Sequence, residues 1–177
     1  DQPRSRGLGD VYKRQPSEAE LVLPGKKPVR LKQTTDYPRT DQIEIEVDPA
    51  KETAFTIALR IPAWSKIAVV SVNGQPQDGV LQGAYLPVNR KWKKGDRITV
   101  KLDLRARLVE RNQAQAIVRG PIVLARDSRF GDGFVDEASV VVSKDGYVAL
   151  TPVKAPGFAW LAFTAPMVLG TDSVSYT

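Results

Sequence analysis

The 177 residues carry 26 lysines and arginines against 20 aspartates and glutamates, a mild net charge of +6, and neither cysteine nor histidine. Disulfides, thiol nucleophiles and thiolate metal sites are thereby excluded, and the commonest general base near neutral pH and the commonest metal ligand are missing. The hydrophobic and charged shares are ordinary, no apolar run approaches eighteen residues, and no basic-then-apolar leader is visible, so the expectation is a globular chain without a membrane span, large enough to bury a core.

Residues 1–15, DQPRSRGLGDVYKRQ, supply two of the six net positive charges and show no hydrophobic period. The string LGDVYKRQ resembles a translated sequencing-adapter scar of the kind met in bacterial metagenomic reading frames. The segment is expected to be non-native or a disordered arm, and it is set aside. Period-two alternation then dominates. QIEIEV at 42–47 puts Ile43, Ile45 and Val47 on one face and Gln42, Glu44 and Glu46 on the other. FTIALRI at 55–61 does the same with Phe55, Ile57, Leu59 and Ile61, and RITVKLDL at 97–104 with Ile98, Val100, Leu102 and Leu104. Alternation of this kind predicts antiparallel strands with one face on a core. Strand-like runs follow at 116–119, 122–125, 139–143, 147–151 and 160–164. Turn residues separate the runs, at Asn73-Gly74, Lys94-Gly95-Asp96, Gly131-Asp132-Gly133 and Asp145-Gly146. No window carries a helical stripe. The fold class is therefore expected to be all-β, an antiparallel, jelly-roll-like β-sandwich, as two sandwich units in tandem: 16–104 and 105–177. RARLVERNQ, at 105–113, reads as a linker or an edge strand. The closing TDSVSYT is strand-like without a closing turn, and the expectation from it is a second unit that continues beyond this sequence.

Three stretches could carry function. VNRKWKKGDRI, at 88–98, sets Arg90, Lys91, Lys93, Lys94 and Arg97 around Trp92. A nucleic-acid surface would need a broader basic face with stacking aromatics, and Asp78, Asp96 and Asp103 interrupt such a face. The simpler reading is a strand, a tight turn and the next strand, with Trp92 as a core plug and the lysines on the shoulder of the turn. In LRIPAWS, at 59–65, Pro62 ends or bulges a strand, and Trp64 either packs on the sandwich or faces outward as a sugar platform; packing is favoured. RFGDGFVDE, at 129–137, gathers Asp132, Asp136 and Glu137 near Asp127. Its spacing does not match the helix-loop-helix calcium pattern, nothing sets two of its carboxylates across a cleft, and a solvated loop is expected.

The order of these pieces says more than any one of them. QTTDYPRTDQIEIEV, FTIALRIPAWS, VSVNGQ, GAYLPVNRKWKKGDRITVKLDL and AIVRGPIVLARD together resemble glycoside hydrolase family 127, the β-L-arabinofuranosidases, over roughly residues 28–127 and more weakly beyond. The resemblance implies that the chain corresponds to the middle and C-terminal β-sandwich domains. It implies an upstream (α/α)6 catalytic barrel with a cysteine nucleophile and a zinc held by further cysteines and a glutamate, none of which can be carried onto this sequence. The expectation is thus an accessory region with no catalytic, cofactor or metal residues of its own, in a parent acting on plant L-arabinofuranosides. Trp64, Trp92, Tyr85 and Tyr37 are the candidate aromatics for carbohydrate or for domain docking. The expected partners are the parent's own barrel, an arabino-oligosaccharide and a second copy of the chain, with no nucleic acid and no membrane. The rival classes are an autonomous carbohydrate-binding module and a surface interaction sandwich with no sugar role. Periplasmic, secreted and cytoplasmic settings are all compatible with the sequence.

Overall fold

The computed structural model describes residues 17–22, 27–111, 114–125, 138–154 and 161–169. The chain divides into two compact units, 1–104 and 105–177. No helix occurs among the described residues, and none is long and apolar enough to cross a membrane.

In the first unit, six strands form one antiparallel sheet: β1 (Ser17–Leu21), β2 (Val29–Thr35), β3 (Gln42–Pro49), β5 (Val69–Val72), β6 (Gln75–Pro76) and β8 (Asp96–Lys101), in the order β1-β2-β3-β8-β5-β6. The other layer is a two-stranded ribbon of β4 (Thr53–Arg60) and β7 (Tyr85–Trp92). The expected alternation sets which side chains meet between them. From the large sheet come Val29, Val47, Val70, Val72, Ile98 and Val100; from the ribbon come Leu59, Leu86, Val88 and Trp92, with Ile61 just past the end of β4. Ile43, Ile45, Phe55 and Ile57 are partly buried against this cluster. Each fully buried aliphatic side chain contributes on the order of 1.5–3 kcal/mol, so this shared interior is what holds the two layers together.

The large sheet's other face is a cross-strand charge ladder. Register aligns Glu18, Lys32, Glu46 and Arg97 in one row and Glu20, Arg30 and Asp48 in the next. Arg30 pairs with Glu18 at 3.1 Å and Asp48 at 3.7 Å, and Arg97 with Glu44 at 4.0 Å. Opposite charges facing across strands suit a solvated sheet surface.

Asn73 and Gly74 close the β5–β6 hairpin at φ of 50° and 80°, the left-handed pair that a two-residue turn of this twist requires. The 97–104 run is a strand only as far as Lys101, although Leu102 still joins the core cluster and Leu104 is buried.

The second unit has a three-stranded sheet, ordered β11-β10-β9, of β9 (Ala106–Arg111), β10 (Ala114–Arg119) and β11 (Ile122–Leu124). RARLVERNQ is therefore mostly an edge strand. Two ribbons complete the described part: β12 (Ala138–Val140) with β15 (Met167–Leu169), and β13 (Thr151–Val153) with β14 (Ala162–Thr164). The 147–151 run differs from its expectation. Val148 makes only an isolated bridge to Ala106, and the strand begins at Thr151, because Tyr147 is held in a turn by Ser143.

Candidate functional site

The cation-rich stretch resolves into opposite faces. On β7 the inward positions are Leu86, Val88, Arg90 and Trp92; on β8 they are Asp96, Ile98 and Val100. Arg90 and Asp96 therefore meet at one end of the interior, where an Arg90 nitrogen lies 3.8 Å from Asp96 Oδ2 and the guanidinium 5.2 Å from the Trp92 ring. Lys91 points the other way and pairs with Glu52 at 3.3 Å. Lys93 and Lys94 are exposed on the turn. The five cations do not share a face.

Asp96, 7% exposed, ties two turns together. Its Oδ2 accepts from the Lys93 N–H at 2.9 Å, and its Oδ1 accepts from Asn73 Nδ2 at 2.8 Å. Asn73 Oδ1 in turn accepts from the Arg97 N–H at 2.8 Å, and the Asn73 N–H donates to the Arg97 carbonyl at 2.8 Å. Gly95 donates to Asp48 Oδ1 at 2.8 Å. Burial pushes the Asp96 carboxyl up, but the Lys93 N–H, the Asn73 amide and the charges of Arg90 and Lys93 together hold it below its ordinary value. This is a structural brace. Sequence reading missed it, although the signal was present: stepping the Ile98–Val100 alternation back by two lands on Asp96, and stepping Val88 forward by two lands on Arg90.

The four aromatic candidates separate by burial. Trp92 is fully buried, its Nε1–H donating to the Phe55 carbonyl at 3.0 Å and its ring 5.9 Å from that of Phe55. It offers no face to a ligand. Trp64 and Tyr37 are partly buried and pack against the core cluster. Trp64 sits in a turn closed by the Ser65 N–H on the Pro62 carbonyl at 3.1 Å, and the buried Ser65 Oγ accepts from the Asp103 N–H at 2.8 Å. Tyr85 alone is open, 65% exposed, with the Arg60 guanidinium 5.5 Å from its ring centroid. The four therefore do not form one site.

The 129–137 loop and Asp127 lie outside the described residues. Among the described residues no group of three or more carboxylate, histidine or cysteine side chains could hold a metal ion. The Asp145-Gly146 turn is exposed; a hydrogen bond from Ser143 Oγ is the main influence holding the Asp145 carboxyl below its ordinary value.

The family described as β-L-arabinofuranosidase, GH127 middle domain, matches residues 11–104, more than half of the chain. The chain belongs to glycoside hydrolase family 127. The match takes in the last five residues of the segment set aside above. Three solved structures are similar. A glycoside hydrolase is 27% identical with a TM-score of 0.74, over 92% of this chain and 28% of that one. A family 127 β-L-arabinofuranosidase from Geobacillus stearothermophilus T6 is 26% identical with a TM-score of 0.65, over 79% of this chain and 23% of that one. A family 127 β-arabinofuranosidase is 25% identical with a TM-score of 0.61, over 86% of this chain and 30% of that one. This family 127 chain thus spans less than a third of each of these proteins. No curated protein matches it. What the chain carries is an accessory β-sandwich of a glycoside hydrolase.

Proposed function

We propose that the chain is the non-catalytic sandwich region of a glycosidase acting on plant L-arabinofuranosides, and that it supports an (α/α)6 catalytic barrel located elsewhere in a longer protein. The observation that carries this reading is the match of residues 11–104 to a middle domain, in a chain spanning 23–30% of its structural relatives. The make-up of the interior supports it: the core cluster of the first unit consists of aliphatic and aromatic side chains, with one ion-paired arginine and aspartate at its end. A zinc–thiolate centre does not fit this chain, which has no cysteine and no histidine. Such a centre and the nucleophile belong to the proposed catalytic part.

The test is a domain exchange. The chain assayed alone should not hydrolyse an aryl β-L-arabinofuranoside. Put in place of the middle and C-terminal sandwiches of a structurally similar family 127 enzyme, it should give a soluble chimera that retains activity. Hydrolysis by the chain alone, or a chimera that folds but is inactive while the catalytic part is active without any sandwich, would refute the supporting role.

A further inference from the structure

The two exposed faces of the first unit are chemically unlike. The outer face of the large sheet is laced with paired charges. The outer face of the β4–β7 ribbon is Ala54, Thr56, Ala58 and Arg60 opposite Lys91, Asn89, Pro87 and Tyr85, all exposed. No carboxylate occurs among these eight positions. At eight residues per strand the ribbon runs for about 25 Å, with small side chains along its middle, so it is a flat track with polar groups from Thr56 and Asn89 and an aromatic ring at one end.

Arg60 is the unusual member. Arg30, Arg39, Arg90 and Arg97 each lie within 4.0 Å of a carboxylate oxygen, whereas Arg60 pairs with no carboxylate among the described residues. Its Nη1 donates to the adjacent Ile61 carbonyl at 2.5 Å, which holds the head group over one face of the Tyr85 ring and leaves the other face for a ligand. A guanidinium has five N–H donors in a fixed fork, and Arg60 is an exposed residue, so donors beyond the one on Ile61 are left for a ligand. A pinned arginine against one face of an exposed ring matches a ligand that has both an apolar ring face and a carboxylate. Arginine binds carboxylate through paired charge-assisted hydrogen bonds, and an aromatic ring supplies area at little entropic cost.

We propose that the outer face of the β4–β7 ribbon is a binding site for a uronate-bearing oligosaccharide, with Arg60 taking the sugar carboxylate and Tyr85 stacking on the ring. This rests on the reading of the chain as part of a carbohydrate-active protein, and it adds a class of ligand, acidic sugars, distinct from the neutral arabinofuranosides of the proposed reaction. The face works as a tether to acidic polysaccharide and performs no chemistry.

The test uses the 177-residue chain, titrated with tetragalacturonate and, separately, with a neutral arabinotetraose, while backbone amide shifts are followed by NMR. Tetragalacturonate is expected to bind with a Kd of about 1 mM, with shifts centred on residues 54–60 and 85–91. Arg60→Gln and Tyr85→Ala should each weaken it about tenfold. Lys101→Gln, on the outer face of the large sheet, should leave it unchanged. Equal affinity for the neutral oligosaccharide would overturn the role of Arg60. Equal weakening by Lys101→Gln would reduce the effect to diffuse attraction by a cationic chain, and overturn the site. Absence of binding, with Arg60→Gln and Tyr85→Ala lowering the melting temperature of the domain-exchange chimera, would mean that the face is covered by protein, and overturn the site as well. That last outcome leaves the supporting function standing, since an active chimera is read independently of any uronate.

Discussion

Replacing Asp96 is the sharpest test of how this sandwich is held at its Trp92 end. The carboxylate accepts two hydrogen bonds, from the Lys93 N–H and from Asn73 Nδ2, and it faces the Arg90 guanidinium on the other layer. Hydrogen bonds to a charged group contribute about 1.5–3 kcal/mol each when buried, and the lower end applies here because the two turns reach solvent. Asp96→Ala also leaves Arg90 without its partner, though that side chain is 36% exposed and stays hydrated. The expected loss is about 3 kcal/mol, a large share of the stability of a domain this size. Asp96→Asn keeps one acceptor but turns an amide N–H toward a donor, and should cost about 2 kcal/mol. Urea unfolding followed by tryptophan emission measures both. The pH dependence gives a second check. A carboxyl held below its ordinary value of 3.8 contributes stability that is complete above about pH 4 and is lost as pH falls through the folded-state value. The difference between the parent chain and Asp96→Asn should therefore be full at pH 6 and shrink toward pH 2. A loss below about 0.5 kcal/mol for Asp96→Ala, or a gap that widens on acidification, would refute the brace.

Asn73→Ala should cost about 2–3 kcal/mol in the same urea assay, combining loss of the amide's bonds to Asp96 and Arg97 with the strain of alanine at φ 50°. Gly74→Ala, where an added Cβ meets nothing within 4 Å, should cost only the strain at φ 80°, about 1 kcal/mol. Trp92→Phe removes a buried N–H bond and ring volume; it should destabilise by about 2–3 kcal/mol and delete an emission component shielded from acrylamide, whereas Trp64→Phe should leave that component in place. Arg30→Gln, on the exposed charge ladder, should change stability by less than about 0.5 kcal/mol, and a larger loss would mean that the ladder is more than a solvated face.

The strands that enclose the core were legible because a half-buried strand writes its burial into every second residue. Ile43, Ile45 and Val47, the Phe55–Ile61 series and the Ile98–Leu104 series all fall where alternation puts them. The Asn73-Gly74 hairpin was legible for a similar reason, since few dipeptides tolerate two consecutive left-handed residues. Sequence reading did less well where one element carries no period. β6 has two residues, β15 three, and the 147–151 run looked like a strand because Tyr147 and Val148 are apolar, although local bonds from Ser143 turn the chain there. Charge was harder still. The alternation that predicts a buried Ile98 also predicts an inward Asp96, but a rule that sends charges outward overrides it. Only the register of two different sheets reveals that Arg90 waits opposite.

The candidate aromatics show the same limit from the other side. Residue type marked Trp64, Trp92, Tyr37 and Tyr85 alike, yet a sugar platform needs an open ring, and openness depends on strand parity. Trp92 and Tyr85 lie on the same strand, seven residues apart, so an odd separation puts them on opposite faces: one in the core against Phe55, the other in solvent. Arg60 inherits its position from the same arithmetic, because register sets it opposite Tyr85 on the outward side of the ribbon. Two positions that neither composition nor motif would join are thus placed side by side by the pairing of β4 with β7. A shift of that register by one residue would turn Tyr85 inward and move the inward apolar series of the ribbon out to solvent. The burial that fixes the fold therefore also fixes which aromatic side chain and which arginine the surface can offer to a ligand.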